Sequence, residues 1–128
     1  MRNEDTTGLV GQLSEELGNA VFGDRRLTSR LTEIADALVA RPSDSLPKAL
    51  RTEAALEGAY RFFDNRRVKP ERILAPHVEA TIARCQSSGG PVLAIHDTTQ
   101  FDFGKEVERK GLGPLKGNGS QGFFGHFT

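Results

Sequence analysis

The chain has 128 residues, a mass of 14.0 kDa and a formal charge of zero, with 17 basic against 17 acidic side chains. At about the size of one domain it can bury roughly two thirds of the surface its unfolded form exposes. With 37% hydrophobic and 27% charged residues it is neither polar enough for wholesale disorder nor apolar enough for a transmembrane helix, which needs ~18 consecutive apolar residues.

The single cysteine, Cys85, excludes an internal disulfide and a cysteine-rich zinc site within this chain. The first residues, MRNEDTTGLVGQLSEELG, hold Glu4, Asp5, Glu15 and Glu16 and no continuous apolar run, so a secretory leader is not expected and an intracellular location is. Charge is unevenly spread. Residues 1–23 carry one base and four acids, whereas residues 59–72 carry Arg61, Arg66, Arg67, Lys69 and Arg72 against Asp64 and Glu71. A second cluster, Arg25, Arg26 and Arg30, faces Asp24 alone within residues 24–30. Two local basic clusters in a neutral chain suggest a directed anion-binding face, and equally fit solvated helix surfaces.

In chain order, the first expected helix runs from about 25 to 40. Asp24 is its N-cap, Leu27, Leu31, Ile34, Ala35, Leu38 and Val39 form an amphipathic stripe, and Pro42 closes it. A step of about 100° per residue puts Arg26 and Arg30 on one flank of that stripe and turns Arg25 away. The next helical segment starts at Ser45 and Pro47 and continues to Tyr60, Phe62 and Phe63, with Gly58 as the weak point where it bends or divides. After a turn at 65–69, Pro70 opens a further helix in which Leu74, Val78, Thr81, Ile82 and Cys85 share a face, read as core, and Pro76 is a candidate kink. Ser87, Ser88, Gly89 and Gly90 then form a linker. Beyond it the pattern turns extended. Val92 to Ile95 reads as a strand covered on both faces, Phe101 to Phe103 alternate, and Gly122 to Thr128 is a last short strand. With no helix after it to cover a sheet, this part reads as an incomplete domain.

Motifs are few. Gly117, Gly119 and Gly122 match G-x-G-x-x-G, but a loop precedes and an aromatic strand follows, so a dinucleotide site is not expected. A D-x-D-x-T phosphatase pattern fails at its third position, which is Thr99. His77, His96 and His126 lack metal-site spacing. Asp97, following the apolar run 92–95 and preceding Thr98 and Thr99, has two local readings: an acid that orders a turn through its threonine neighbours, or an oxygen ligand for magnesium. One carboxylate rarely binds that ion well unaided.

Three separated blocks, GDRRLTSRLTEIADAL, EGAYRFFDNRRVKPERILAPH, and LAIHDTT with LGPLKGNGSQGFFGH, agree in order and spacing and together resemble the N-terminal third of bacterial cut-and-paste transposases of the Tn-five-like insertion-sequence type. The resemblance runs from about Leu17 to the C-terminus. It implies an α+β chain: a small helical domain at 9–86 that binds transposon-end double-stranded DNA, then at 91–128 the first strands of an incomplete ribonuclease H-like core.

In that family the core cuts and joins DNA with a D-D-E set of acids around Mg2+ or Mn2+, and Asp97 falls on the first acid, as catalytic and metal-binding residue. The later two acids do not occur in this chain. The resemblance places Arg26 and Arg30 on the helix that contacts transposon-end DNA, with Leu27 where a further basic residue is common, and places Tyr60, Arg61 and Asn65 in a signature block near the DNA. It implies a cytoplasmic, nucleoid-associated protein, pairing in a synaptic complex or with an intact transposase. Without its partner acids, Asp97 is expected to leave this chain inactive in strand cleavage. The alternative expectation is a non-catalytic remnant that binds DNA or inhibits an intact transposase.

Overall fold

A computed structural model describes residues 13–117 and 119–127. Residues 9–12 of the expected helical domain and Thr128 of the expected last strand lie outside the described residues. The chain divides between Gly89 and Gly90 into two units.

In the first unit, a helical turn at 13–17 precedes α1 (Arg25–Ala40), α2 (Leu46–Leu50), α3 (Glu53–Phe63) and α4 (Pro70–Ser87). Asp24 adopts an extended conformation and its Oδ1 accepts the Arg26 amide at 3.0 Å, capping the first turn of α1. At the other end the Arg41 amide donates to the Leu38 carbonyl, and Pro42 follows. The stripe on α1 buries Leu31 and Ile34 against Phe22, Leu50, Ala59, Phe62 and Val68. Phe22 and Phe62 are the largest fully buried side chains of the described residues and meet edge to face, with centroids 5.7 Å apart.

The second helical segment does divide, but at Arg51 and Thr52 rather than at Gly58. Arg51 takes φ 62°, and the Thr52 hydroxyl accepts the Ala55 amide at 3.2 Å, so a new capped helix starts there. A mid-helix glycine costs only about 1 kcal/mol relative to alanine, and α3 runs straight through Gly58.

Helix α4 has the expected extent and continues through Pro76. Its expected buried face is not buried. Leu74, Val78 and Ile82 are each more than half exposed, and Cys85, read from the sequence as core, is exposed too. The side turned onto the helical unit is that of Ile73 and Pro76, one turn apart, with Pro76 the buried residue of the helix. Glu16 secures the same side: its carboxylate meets His77 Nδ1 at 2.7 Å and the Arg84 guanidinium, and these two bonds hold its carboxyl below the ordinary range.

The second unit is a three-stranded antiparallel sheet of β1 (Asp97–Asp102), β2 (Gly113–Pro114) and β3 (Gln121–Phe127), in the order β1-β3-β2. The register sets Asp97 opposite Phe127 and Phe101 opposite Phe123, whose rings stack at 4.8 Å. Asp102 ties the connection down, accepting the Gly104 amide and the Ser120 hydroxyl at 2.8 Å each.

The apolar run Val92 to Ile95 forms no strand: it is irregular, and Leu93 is 82% exposed. A continuous apolar run becomes a buried strand only when neighbouring strands pair with it and layers cover both faces. None of the described strands pairs with it. Asp97 therefore opens a strand instead of closing one.

Candidate nucleic-acid interface

The N-terminal turns of α1 and the C-terminal turn of α3 meet around a shallow cleft of about 330 Å³. Arg26 and Arg30 enter it from α1, Arg61 from α3 and Asn65 from the turn that follows, with Phe62 and Gly58 also in its wall. Arg26, Arg30, Arg61 and Asn65, singled out from the sequence, are thus brought to one place. Tyr60 is exposed and does not line the cleft. Arg25, one step round the helix, lines a different hollow with Gly18 and Phe22.

The folding reasons are local. The cap at Asp24 starts α1 at Arg25, which fixes Arg26 and Arg30 one turn apart near the helix start. Arg30 lies close over Gly58: a Cβ there would stand 3.0 Å from Arg30 Cζ and 3.2 Å from its Nε, so the guanidinium would have to shift by a few tenths of an ångström. Gly58, which the sequence marks as a weak point, is instead the space the guanidinium occupies. Asn65 is oriented by its own turn, since its Oδ1 accepts the Arg67 amide at 2.9 Å. Arg67 donates to the Gly23 carbonyl at 3.4 Å and attracts the neighbouring Asp24 carboxylate.

Each arginine of the cleft is matched by a carboxylate close in sequence. Arg26 grips Asp24 through Nε at 3.2 Å and Nη2 at 3.1 Å. Arg30 Nη1 meets Glu33 Oε2 at 2.7 Å, and Arg61 pairs with Glu57. The hydrogen bonds from Arg26, with Arg67 adding a smaller attraction, hold the Asp24 carboxyl below its ordinary range, and the Arg26 guanidinium is held above its own. Glu33 and Glu57 carry no motif, and only their positions one helical turn from an arginine could have marked them in the sequence.

Asp97 is placed differently. It is exposed, and its Oδ1 accepts the amide of its neighbour Thr98 at 2.8 Å. Nearby, the His96 and His126 rings stack at 5.1 Å and the Thr98 hydroxyl lies 2.7 Å from His126 Nδ1. Among the described residues no three His, Cys, Asp or Glu side chains converge as a metal site would require. The bond from Thr98 lies within the first two residues of β1, in a strand and not in a turn. Among the described residues no helix is long and apolar enough to cross a membrane.

Residues 11–68 match the family model described as transposase DNA-binding. The match spans the helical turn at 13–17 and helices α1 to α3, including every residue of the arginine cleft; α4 and the sheet lie beyond it. It supports a transposase, and DNA as its partner.

Proposed function

We propose that the helical unit is the transposon-end-binding domain of a cut-and-paste transposase and that the arginine cleft is its contact with double-stranded DNA. The observation that carries this reading is the convergence of Arg26, Arg30, Arg61 and Asn65 from separate elements, all within the segment that matches the DNA-binding family. Guanidinium groups pair bidentately with phosphate or with a guanine edge, and an asparagine amide can read adenine, so one cleft combines positioning with base recognition.

Arg26→Ala with Arg30→Ala is expected to weaken binding to duplex DNA at low salt. Titration across salt concentrations checks this. The slope of log affinity against log salt should become shallower by about 1 for each phosphate that is no longer neutralised. Unchanged affinity and slope would remove the cleft from the interface. Gly58→Ala tests the geometry separately. It is expected to leave the thermal midpoint of the helical unit unchanged or raised, because alanine is the better helix former. It should also weaken duplex binding, but by less than the ~1 kcal/mol at the low end of the cost of removing an arginine from a DNA interface, because the Arg30 guanidinium is shifted and not lost. A lowered midpoint with intact binding would mean that Arg30 does not act from its place over Gly58.

In this reading Asp97 is the first acid of a D-D-E site on a ribonuclease H-like core; the resemblance of the LAIHDTT block supports it. A non-catalytic product that binds or inhibits is the second reading, favoured by the Asp97 carboxylate being engaged by the amide of its own neighbour in β1. Magnesium-dependent nicking of a transposon end, abolished in Asp97→Asn, would decide for the first.

A further inference from the structure

We propose that Glu33 and Glu57 are built-in competitors for the DNA phosphates, holding Arg30 and Arg61 so that the cleft engages a duplex only by exchanging an internal carboxylate for a phosphate. The inference rests on the cleft being the DNA contact. Its own observation is the pairing: Arg30 to Glu33 across 2.7 Å one turn on in α1, and Arg61 to Glu57 one turn back in α3, both carboxylates well exposed.

Exposed pairs of this kind are worth only about 0–1 kcal/mol to folding, so they are weak as struts. Their effect on a ligand is larger. A phosphate approaching either guanidinium meets the glutamate already there, and must displace it or bear its repulsion. A paired arginine neutralises less phosphate charge and so yields less of the counter-ion release that drives sequence-independent binding. Each pair engages one nitrogen of the guanidinium, Nη1 of Arg30 and Nη2 of Arg61, so the glutamate opposes an approaching phosphate without removing the arginine's capacity to pair with one that displaces it. The pair therefore suppresses binding to arbitrary DNA. Asp24 is kept apart from this role, since it also caps α1.

The test uses the full chain and a mixed-sequence duplex of about two helical turns. Glu33→Gln with Glu57→Gln is expected to tighten binding several-fold at low salt and to steepen the salt dependence, by up to about 1 for each further phosphate neutralised. Both substitutions keep side-chain length and helix propensity. Glu15→Gln with Glu79→Gln changes the net charge by the same amount at residues that line a separate hollow, and is expected to change binding little. Equal gains in the two double variants would reduce the effect to overall charge and overturn the proposal. So would unchanged binding in the Glu33, Glu57 variant while Arg30→Ala and Arg61→Ala still weaken the parent. If those two arginine variants bind as the parent does, it is the cleft reading itself that fails.

Discussion

Phe62→Ala is expected to destabilise the helical unit by about 3–5 kcal/mol, the range for deleting a large aromatic side chain from a packed core. Phe62 is 1% exposed and meets Phe22 edge to face at 5.7 Å. Its burial holds α3 against α1, and the Phe62 side also borders the arginine cleft. A domain of this size has about 5–15 kcal/mol in total, so a large part of the unit's stability would go. The neighbouring Phe63 provides the comparison. It is half exposed and touches Phe62 at 5.3 Å between centroids, so Phe63→Ala should cost about 1 kcal/mol. Urea melts followed by far-ultraviolet circular dichroism measure both. Costs within about 1 kcal/mol of each other would mean that α3 does not pack through Phe62. Because the cleft is assembled from α1 and α3, duplex binding in Phe62→Ala should be lost in step with unfolding at a much lower urea concentration than in the parent, whereas Phe63→Ala should follow the parent closely.

How far the sequence can be read depends on whether a feature is decided locally. Helix α1 is legible to the residue, because its cap, its stripe and Pro42 are all local chemistry. The grouping of Arg26 with Arg30 follows from helix geometry alone. That Arg61 and Asn65 join them does not, since it depends on how α3 packs against α1. Charge clustering brings Arg61 forward, and only the family resemblance brings Asn65 forward. The division at Thr52 is present in the sequence as a capping side chain, yet Gly58 is the more conspicuous signal, and its purpose is visible only with Arg30 lying over it.

The stripe on α4 and the run Val92 to Ile95 depart from expectation for one reason. Both are apolar, yet hydrophobic periodicity states which face could be buried, not what arrives to bury it. Ile73 and Pro76 make the contact on α4, and Cys85 is left exposed with the stripe. The last strand is legible from its aromatic residues, and its observed span, Gln121–Phe127, starts just before the expected Gly122.

Gly122→Ala is expected to cost roughly 3 kcal/mol or more in the sheet, above the usual range for overpacking because the obstacle is backbone. Gly122 is buried in β3, the central strand, where it faces Asp102 of β1 on one side and Gly113 of β2 on the other. A Cβ at that position would overlap the Phe101 carbonyl oxygen and stand 2.8 Å from Leu115 Cδ1. The leucine could rotate aside, but the carbonyl cannot move without parting β1 from β3. Pairing between these strands sets the register from Asp102 back to Asp97, so the substitution also loosens the placement of that acid opposite Phe127. Cross-strand nuclear Overhauser effects between Thr99 and Gly125, and hydrogen-exchange protection of the Phe103 amide, which donates to the Gln121 carbonyl at 3.0 Å, are the measures. Both should vanish in Gly122→Ala and persist in Phe124→Ala, whose ring is largely exposed. Retention of both in Gly122→Ala would show that the strands keep this register with a Cβ at position 122 and that the close approach to the Phe101 carbonyl does not govern it. Absence of the Thr99–Gly125 effect from the parent protein would show that β1 and β3 do not meet in this register, and Asp97 would then have no fixed place opposite Phe127 from which to serve as the first carboxylate of a larger site.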